Sequence, residues 1–166
     1  GTGNGQIAQV LCQDFDTVEA TDISASQLDN AYAAANIRYS VQPAEQTTFN
    51  DNTFDLITVA QAVHWFDFER FNEEVKRVGK SNSIIALIGY ELICITPEID
   101  AVILRLYKQI LGPYWAPERA YLEQQYKAIP FPFRELETPE ITNIKLWKFE
   151  HLLGYLNTWS SVHLFI

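Results

Sequence analysis

The strongest constraint on this chain is an alternation, through its first half, of short β-branched runs with stretches of helical spacing. "TVEATDIS" (Thr17–Ser24) reads as a strand that ends in an acidic residue. "SASQLDNAYAAAN" follows as a helix, with Ser24 as N-cap and Leu28, Ala31 and Ala35 facing inward. "IRYSVQPAE" is a second strand. "FDLITVAQAVHW" is a third, almost wholly apolar, as a strand covered on both faces should be. "FERFNEEVKRV" then predicts a helix and "SIIALIGY" a fourth strand. Upstream, Gln6–Gln13 predicts a helix with Ile7, Val10 and Leu11 on one face. Strands alternating with helices of about ten residues imply a parallel sheet with helices on both sides. The expected fold class is therefore α/β, a doubly wound and mostly parallel sheet.

From Pro97 to Phe133 the chain turns aromatic and proline-punctuated. A helix is expected over Ile99–Leu111, entered at Pro97 and stopped by Gly112-Pro113, and a second over Pro117–Ile129. "ITNIKLWKFE" reads as a strand and "FEHLLGYLNTW" as a short helix. No internal repeat or low-complexity linker divides the sequence. Residues 1–166 are thus expected to form a single domain, with a helical cap over about 97–133 inserted between strands of one sheet.

The chain begins "GTGNGQIAQV", a glycine-rich turn leading straight into a helix. Glycine serves where the backbone needs positive φ or a close approach, and a helix start offers free N–H groups. The dinucleotide fingerprint G-x-G-x-x-G needs a third glycine where Gln6 stands, which disfavours a nicotinamide-dependent oxidoreductase. Gly1, Gly3 and Gly5 spell G-x-G-x-G instead. Asp22, at the end of the next strand, lies about where an acidic group reaches a ribose diol. Glu45 follows the second strand, and Ala60, Gln61, His64 and Trp65 lie at or beyond the carboxyl end of the third. Ligands in open α/β sheets bind along that edge. Together these residues suggest an adenosine-containing ligand without a pyrophosphate.

"GTGNGQ", "EATDIS", "PAEQTTFNDNTFDLITVAQAVHWFD" and "EEVKRV" resemble, in order, the motifs of class I S-adenosylmethionine-dependent methyltransferases. The branch they resemble is the type-11 small-molecule group, which includes the trans-aconitate methyltransferases. "LGPYWAPER", "IPFPF" and "YLNTWSS" resemble the cap and C-terminal segments of that branch. The resemblance implies a Rossmann-like methyltransferase fold, S-adenosylmethionine as cofactor and a small-molecule methyl acceptor, a carboxylic acid being one such acceptor. By it, Gly1, Gly3 and Gly5 would form the turn against the methionine portion, and Asp22 would hold the ribose hydroxyls. Ile23 would pack on the adenine, Ala44 and Glu45 would meet its polar edge, and Ala60 and Gln61 would line the methionine side. Substrate contacts are expected from His64, Trp65, Tyr114 and Trp115. For His64 three roles stay open: general base, substrate donor, or a histidine packed beside Trp65. Arg105, Arg119 and Arg134 are candidates for binding an acidic substrate or are surface charges. The turn before the fourth strand departs from the family's K-P-G-G and reads "GKSNS". The strand and acidic residue that normally precede the first glycine are also missing, and the sequence contains no methionine. We therefore expect a fragment, or a subset from which methionine positions have dropped out.

Other classes recede. A net charge of −9 argues against non-specific nucleic-acid binding, and no apolar run is long enough for a membrane span. Cys12 and Cys94 fit no metal spacing and are expected to be buried thiols in a reducing, cytoplasmic compartment. His64, His151 and His163 follow no ligand spacing, so no metal is expected. Neither a G-x-S-x-G elbow nor a Walker sequence occurs, which removes hydrolase and nucleotide-triphosphatase readings. The alternative from another class is a non-catalytic sensor or interaction module that binds S-adenosylmethionine without turnover.

Overall fold

A computed structural model describes residues 1–139 and 141–166. The first half runs α1 (Gln6–Leu11), β1 (Val18–Asp22), α2 (Ala25–Leu28), β2 (Ile37–Val41), β3 (Phe54–Ala60), α3 (Phe68–Val78) and β4 (Gly79–Ile88). β1 pairs in parallel with β2, from Val18 opposite Ile37 to Asp22 opposite Val41. β3 pairs in parallel with β4, from Leu56 opposite Ile84 to Ala60 opposite Ile88. The parallel α/β architecture is the expected one. It takes the form of two two-stranded ribbons, and among the described residues no strand pairing joins them.

Each ribbon carries its own core. Ala8 of α1 packs with Val18, Ala20 and Ile37, flanked by Leu11, Phe15, Ala34 and Tyr39. Phe71, Val75 and Val78 fall four and three residues apart on α3, so one stripe of that helix is buried. Phe71 and Val75 pack with Val59, Val63 and Ile129. α3 is well specified at both ends. Asp67 caps it by accepting from Arg70 N at 3.2 Å, and Lys76 and Arg77 occupy its last turn, where the dipole favours cations. Inside that turn, Glu74 is buried and accepts both Arg77 Nε (2.9 Å) and Arg77 Nη2 (2.7 Å). Glu74 also accepts Thr47 N at 2.8 Å, while Arg77 reaches Phe49 O and Asp51, so α3 is riveted to the 47–51 loop. The guanidinium beside Glu74 holds its carboxyl down at about 2.

In the second half, α4 (Pro97–Arg105) is capped by Thr96 with Pro97 in its first turn, and a π-helical turn carries it on through Leu106–Ile110. α5 (Arg119–Glu123), α6 (Phe149–Asn157) and α7 (Ser160–Phe165) follow. Ile103, Tyr107, Leu111 and Trp159 form a third, largely aromatic core.

Several expectations need correction. α2 stops at Leu28 because Tyr32 N bonds Asn4 O (3.2 Å) and Tyr39 Oη donates to Tyr32 O (2.7 Å); tertiary bonds take the backbone groups a longer helix would use. Ala35 is consequently exposed rather than inward, and so is Val10 on α1. The helix expected over Pro117–Ile129 is reduced to α5, since Gln125 (φ 54°) and Tyr126 (φ 60°) take left-handed conformations that end it. "ITNIKLWKFE" is no strand in its described residues: 141–148 are irregular, Phe149 and Glu150 begin α6, and Leu146 is 99% exposed with no described strand paired to it. Cap helices inserted between strands of one sheet are therefore not seen, because no described strand follows β4. Cys12 is half-buried and Cys94 exposed, not buried as expected; Cys94 sits in the irregular link before α4. Among the described residues no helix is long and apolar enough to cross a membrane.

Candidate functional site

The carboxyl ends of β1 and β3 meet at the glycine turn. Gly3 (φ 56°) and Gly5 (φ 82°) both take left-handed backbone, which a residue with Cβ rarely adopts. That conformation aims Gly3 N at Asp22 Oδ2, 2.8 Å away, while Ser24 N reaches Asp22 Oδ1 at 2.9 Å. Asp22 is buried, so both oxygens are oriented by backbone donors, and each keeps a second lone pair for a ligand. Thr2 N and Gly1 N both bond Thr21 O at 2.8 Å. On its other side Gly1 abuts the β3 end: a Cβ placed there would lie 2.7 Å from Ala62 Cβ. Three stretches far apart in sequence thus converge on one edge.

The remaining expected cofactor residues line the same edge. Ile23 is 76% exposed beside Asp22, an apolar face with no protein neighbour covering it. Ala44 and Glu45 are half-buried, and Glu45 Oε1 accepts Asp67 N at 3.1 Å, which ties it to the start of α3. Ala60 ends β3, and Gln61 takes a left-handed conformation (φ 54°) with its N bonded to Ile88 O and its Nε2 to Tyr90 O. A non-glycine residue held in that region at a strand end marks a backbone fixed by its surroundings. Two surface hollows lie away from this edge, one lined by Glu123, Gln124, Gln125, Lys127 and Ala128, the other between α3 and Pro130–Pro132.

Beyond β3 the chain makes a single turn over Val63–Trp65. His64 is buried, with Nδ1 3.2 Å from Tyr126 Oη and its ring stacked on Tyr126 and beside Trp65. Burial holds the His64 imidazole below its ordinary range, helped by the charge of Arg119 and opposed by Glu118. Burial likewise pushes the Tyr126 hydroxyl up to about 12, so it keeps its proton. Trp65 is 56% exposed. Sequence reasoning missed Tyr126, whose left-handed backbone delivers the hydroxyl to His64; no spacing pattern signals such a break. Trp115 stacks under Arg119 and donates Nε1 to Tyr107 O at 3.0 Å. Tyr114 packs edge-on against Phe165, a contact with the C-terminal helices.

A parallel α/β edge with an acidic, backbone-oriented residue after one strand and an exposed apolar side chain beside it is the kind of edge on which α/β folds seat nucleoside ligands. Comparison makes this specific. The methyltransferase domain family matches residues 1–87, more than half of the chain, and this protein belongs to that family. A Dictyostelium discoideum protein assigned as a methyltransferase is 34% identical over 169 aligned residues, covering 100% of this chain and 64% of its own length. The chain thus spans less than two thirds of that curated relative. A solved structure assigned as a type II methyltransferase from Anaeromyxobacter dehalogenans is 39% identical with a TM-score of 0.86, over 98% of this chain and 69% of that one. A Methanococcus maripaludis structure assigned as S-adenosyl-L-methionine-dependent shares the fold, at TM-score 0.54 and 21% identity over 75% and 63% of the two chains.

Proposed function

We propose that this protein transfers a methyl group from S-adenosylmethionine to a small carboxylic acid, as in the trans-aconitate-like branch of its family. The observation that carries the reading is the convergence of Gly1–Gly5, Asp22 and the end of β3 on one edge. The residues there suit the cofactor chemically: Asp22 and Glu45 present acceptors for hydroxyl and amino groups, and Ile23 presents an exposed apolar side chain for a base to pack on. When bound, S-adenosylmethionine supplies a methyl group already activated by its positively charged sulfur.

The protein's own task is to orient and to exclude water, and proximity alone contributes about 7–11 kcal/mol in well-aligned cases. Asp22, oriented by Gly3 N and Ser24 N, fixes one end of the cofactor site, and Gln61, held by Ile88 O and Tyr90 O, fixes the other. His64 and Tyr126 form a polar wall towards the acceptor side, backed by Trp65. Kept neutral, His64 donates from one ring nitrogen and accepts at the other. An ionised carboxylate presents its own nucleophilic lone pair and needs no base; a hydroxyl acceptor would hand its proton to His64.

Calorimetry with S-adenosylmethionine, followed by S-adenosylhomocysteine release over a set of small acids, tests the reading. Tight binding with turnover of an acid is expected. Binding without turnover of any acceptor would favour the sensor, and no binding of S-adenosylmethionine would end both.

A further inference from the structure

Arg119 opens α5, and its guanidinium carbon lies 4.0 Å from the centre of the Trp115 ring and 5.0 Å from that of Tyr107. Its Nε donates to Tyr107 Oη at 2.5 Å, and that hydroxyl donates to Glu123 Oε1 at 2.5 Å. Trp115 is itself fixed through its Nε1 bond to Tyr107 O. The guanidinium is therefore gripped on its aromatic faces and at its inner nitrogen, and its orientation is set before any ligand arrives. Among the described residues its two outer nitrogens have no hydrogen-bond or ion-pair partner.

The same side chain stands by the acceptor wall. α5 packs against the Val63–Trp65 turn, and Tyr126, just past its end, bonds His64. The positive charge of Arg119 is felt at His64, Tyr90 and Tyr126. A planar, pre-oriented fork of N–H donors without an internal acceptor matches a carboxylate in shape and charge. The protein carries a net charge of −9, so an acidic small molecule is repelled by most of its surface and needs a dedicated cation to stay.

We propose that Arg119 anchors a carboxylate of the methyl acceptor and so selects acids over their neutral analogues. The anchored carboxylate is not the group that is methylated, because pairing with the guanidinium draws charge from its oxygens and lowers their nucleophilicity. This assignment rests on the methyl-transfer reading for the identity of the acceptor site, but its test does not. Succinate and glutarate, against succinamide and glutaramide, are titrated into the full protein with tryptophan fluorescence and arginine side-chain NMR as readouts. Wild type is expected to bind at least one diacid about tenfold or more tighter than its diamide, and Arg119→Gln to lose about 10- to 100-fold in diacid affinity while diamide binding stays put. Arg119→Lys keeps the charge and a cation–π contact but not the planar fork, and should lose about threefold or more, which also covers the case where Arg119→Gln fails to fold. Equal diacid binding by wild type and variants, or no preference of wild type for acid over amide, overturns the proposal. No cofactor is needed in this assay, so a failure to bind S-adenosylmethionine would sink the methyl-transfer reading separately.

Discussion

Asp22 accepts one backbone N–H on each carboxylate oxygen, and that sharing makes it sensitive to a single-atom change. In Asp22→Asn one oxygen becomes an NH2 group facing a backbone donor, and a buried donor without a partner costs about 1–3 kcal/mol. Calorimetry should show S-adenosylmethionine affinity falling about tenfold or more, with strand content by circular dichroism retained. His64 makes a second prediction. Its folded-state pKa lies below the ordinary 6.5, so the stability tied to its neutral form is complete above 6.5 and is lost as pH falls from 6.5 towards the folded value. NMR should place the His64 midpoint below 6.5. If an acid is the acceptor, the rate with His64→Ala should stay within about tenfold of wild type; a loss of about 10² would assign it the base role instead. Asp22 could be read as a site residue because it ends a strand. The His64–Tyr126 partnership could not, since it depends on two left-handed residues in the middle of an apparently helical run.

At the scale of elements, the glycine turn and β2 are interlocked. A Cβ on Gly5 would collide with Tyr39 Oη, whose hydrogen bond to Tyr32 O holds the segment after α2. Gly5→Ala combines that collision with positive φ, and should lower stability by about 1–3 kcal/mol in urea unfolding while weakening cofactor binding. A cofactor affinity unchanged by this substitution would detach the turn from the ligand. The four strands and α3 were legible because each rests on local pattern: alternation in β1 and β2, apolar runs in β3 and β4, a buried stripe and an acidic cap in α3; β4 starts earlier than expected, at Gly79, so the expected turn at "GKSNS" is strand. What escaped were the elements set by partners distant in sequence. α2 is cut short by bonds to Asn4 and Tyr39, and 141–148 has strand-like composition but no described neighbour. The π-helical turn over Leu106–Ile110, which seats Tyr107 under Arg119, leaves no trace in hydrophobic spacing.

For the whole molecule, α3 is the main tie. It packs on the β3–β4 ribbon, holds the 47–51 loop through Glu74 and Arg77, and donates Asn72 Nδ2 to Pro130 O at 3.0 Å. Glu74 titrates at about 2 in the folded protein against an ordinary 4.5, so its contribution is whole above 4.5 and is lost as pH drops from 4.5 to about 2. Acid unfolding followed by circular dichroism should therefore be steep in that window and shallower in Glu74→Gln, which should also melt a few degrees lower at neutral pH. The carboxyl ends of β1 and β3 meet where Gly1 and Thr2 sit between Thr21 and Ala62. A guest seated across those ends acts as mortar: each molecule bound ties the β1 end to the β3 end. By mass action, saturation at a hundred times the dissociation constant is worth about 2.7 kcal/mol, so the melting temperature should climb with guest concentration and both ribbons should gain hydrogen-exchange protection together.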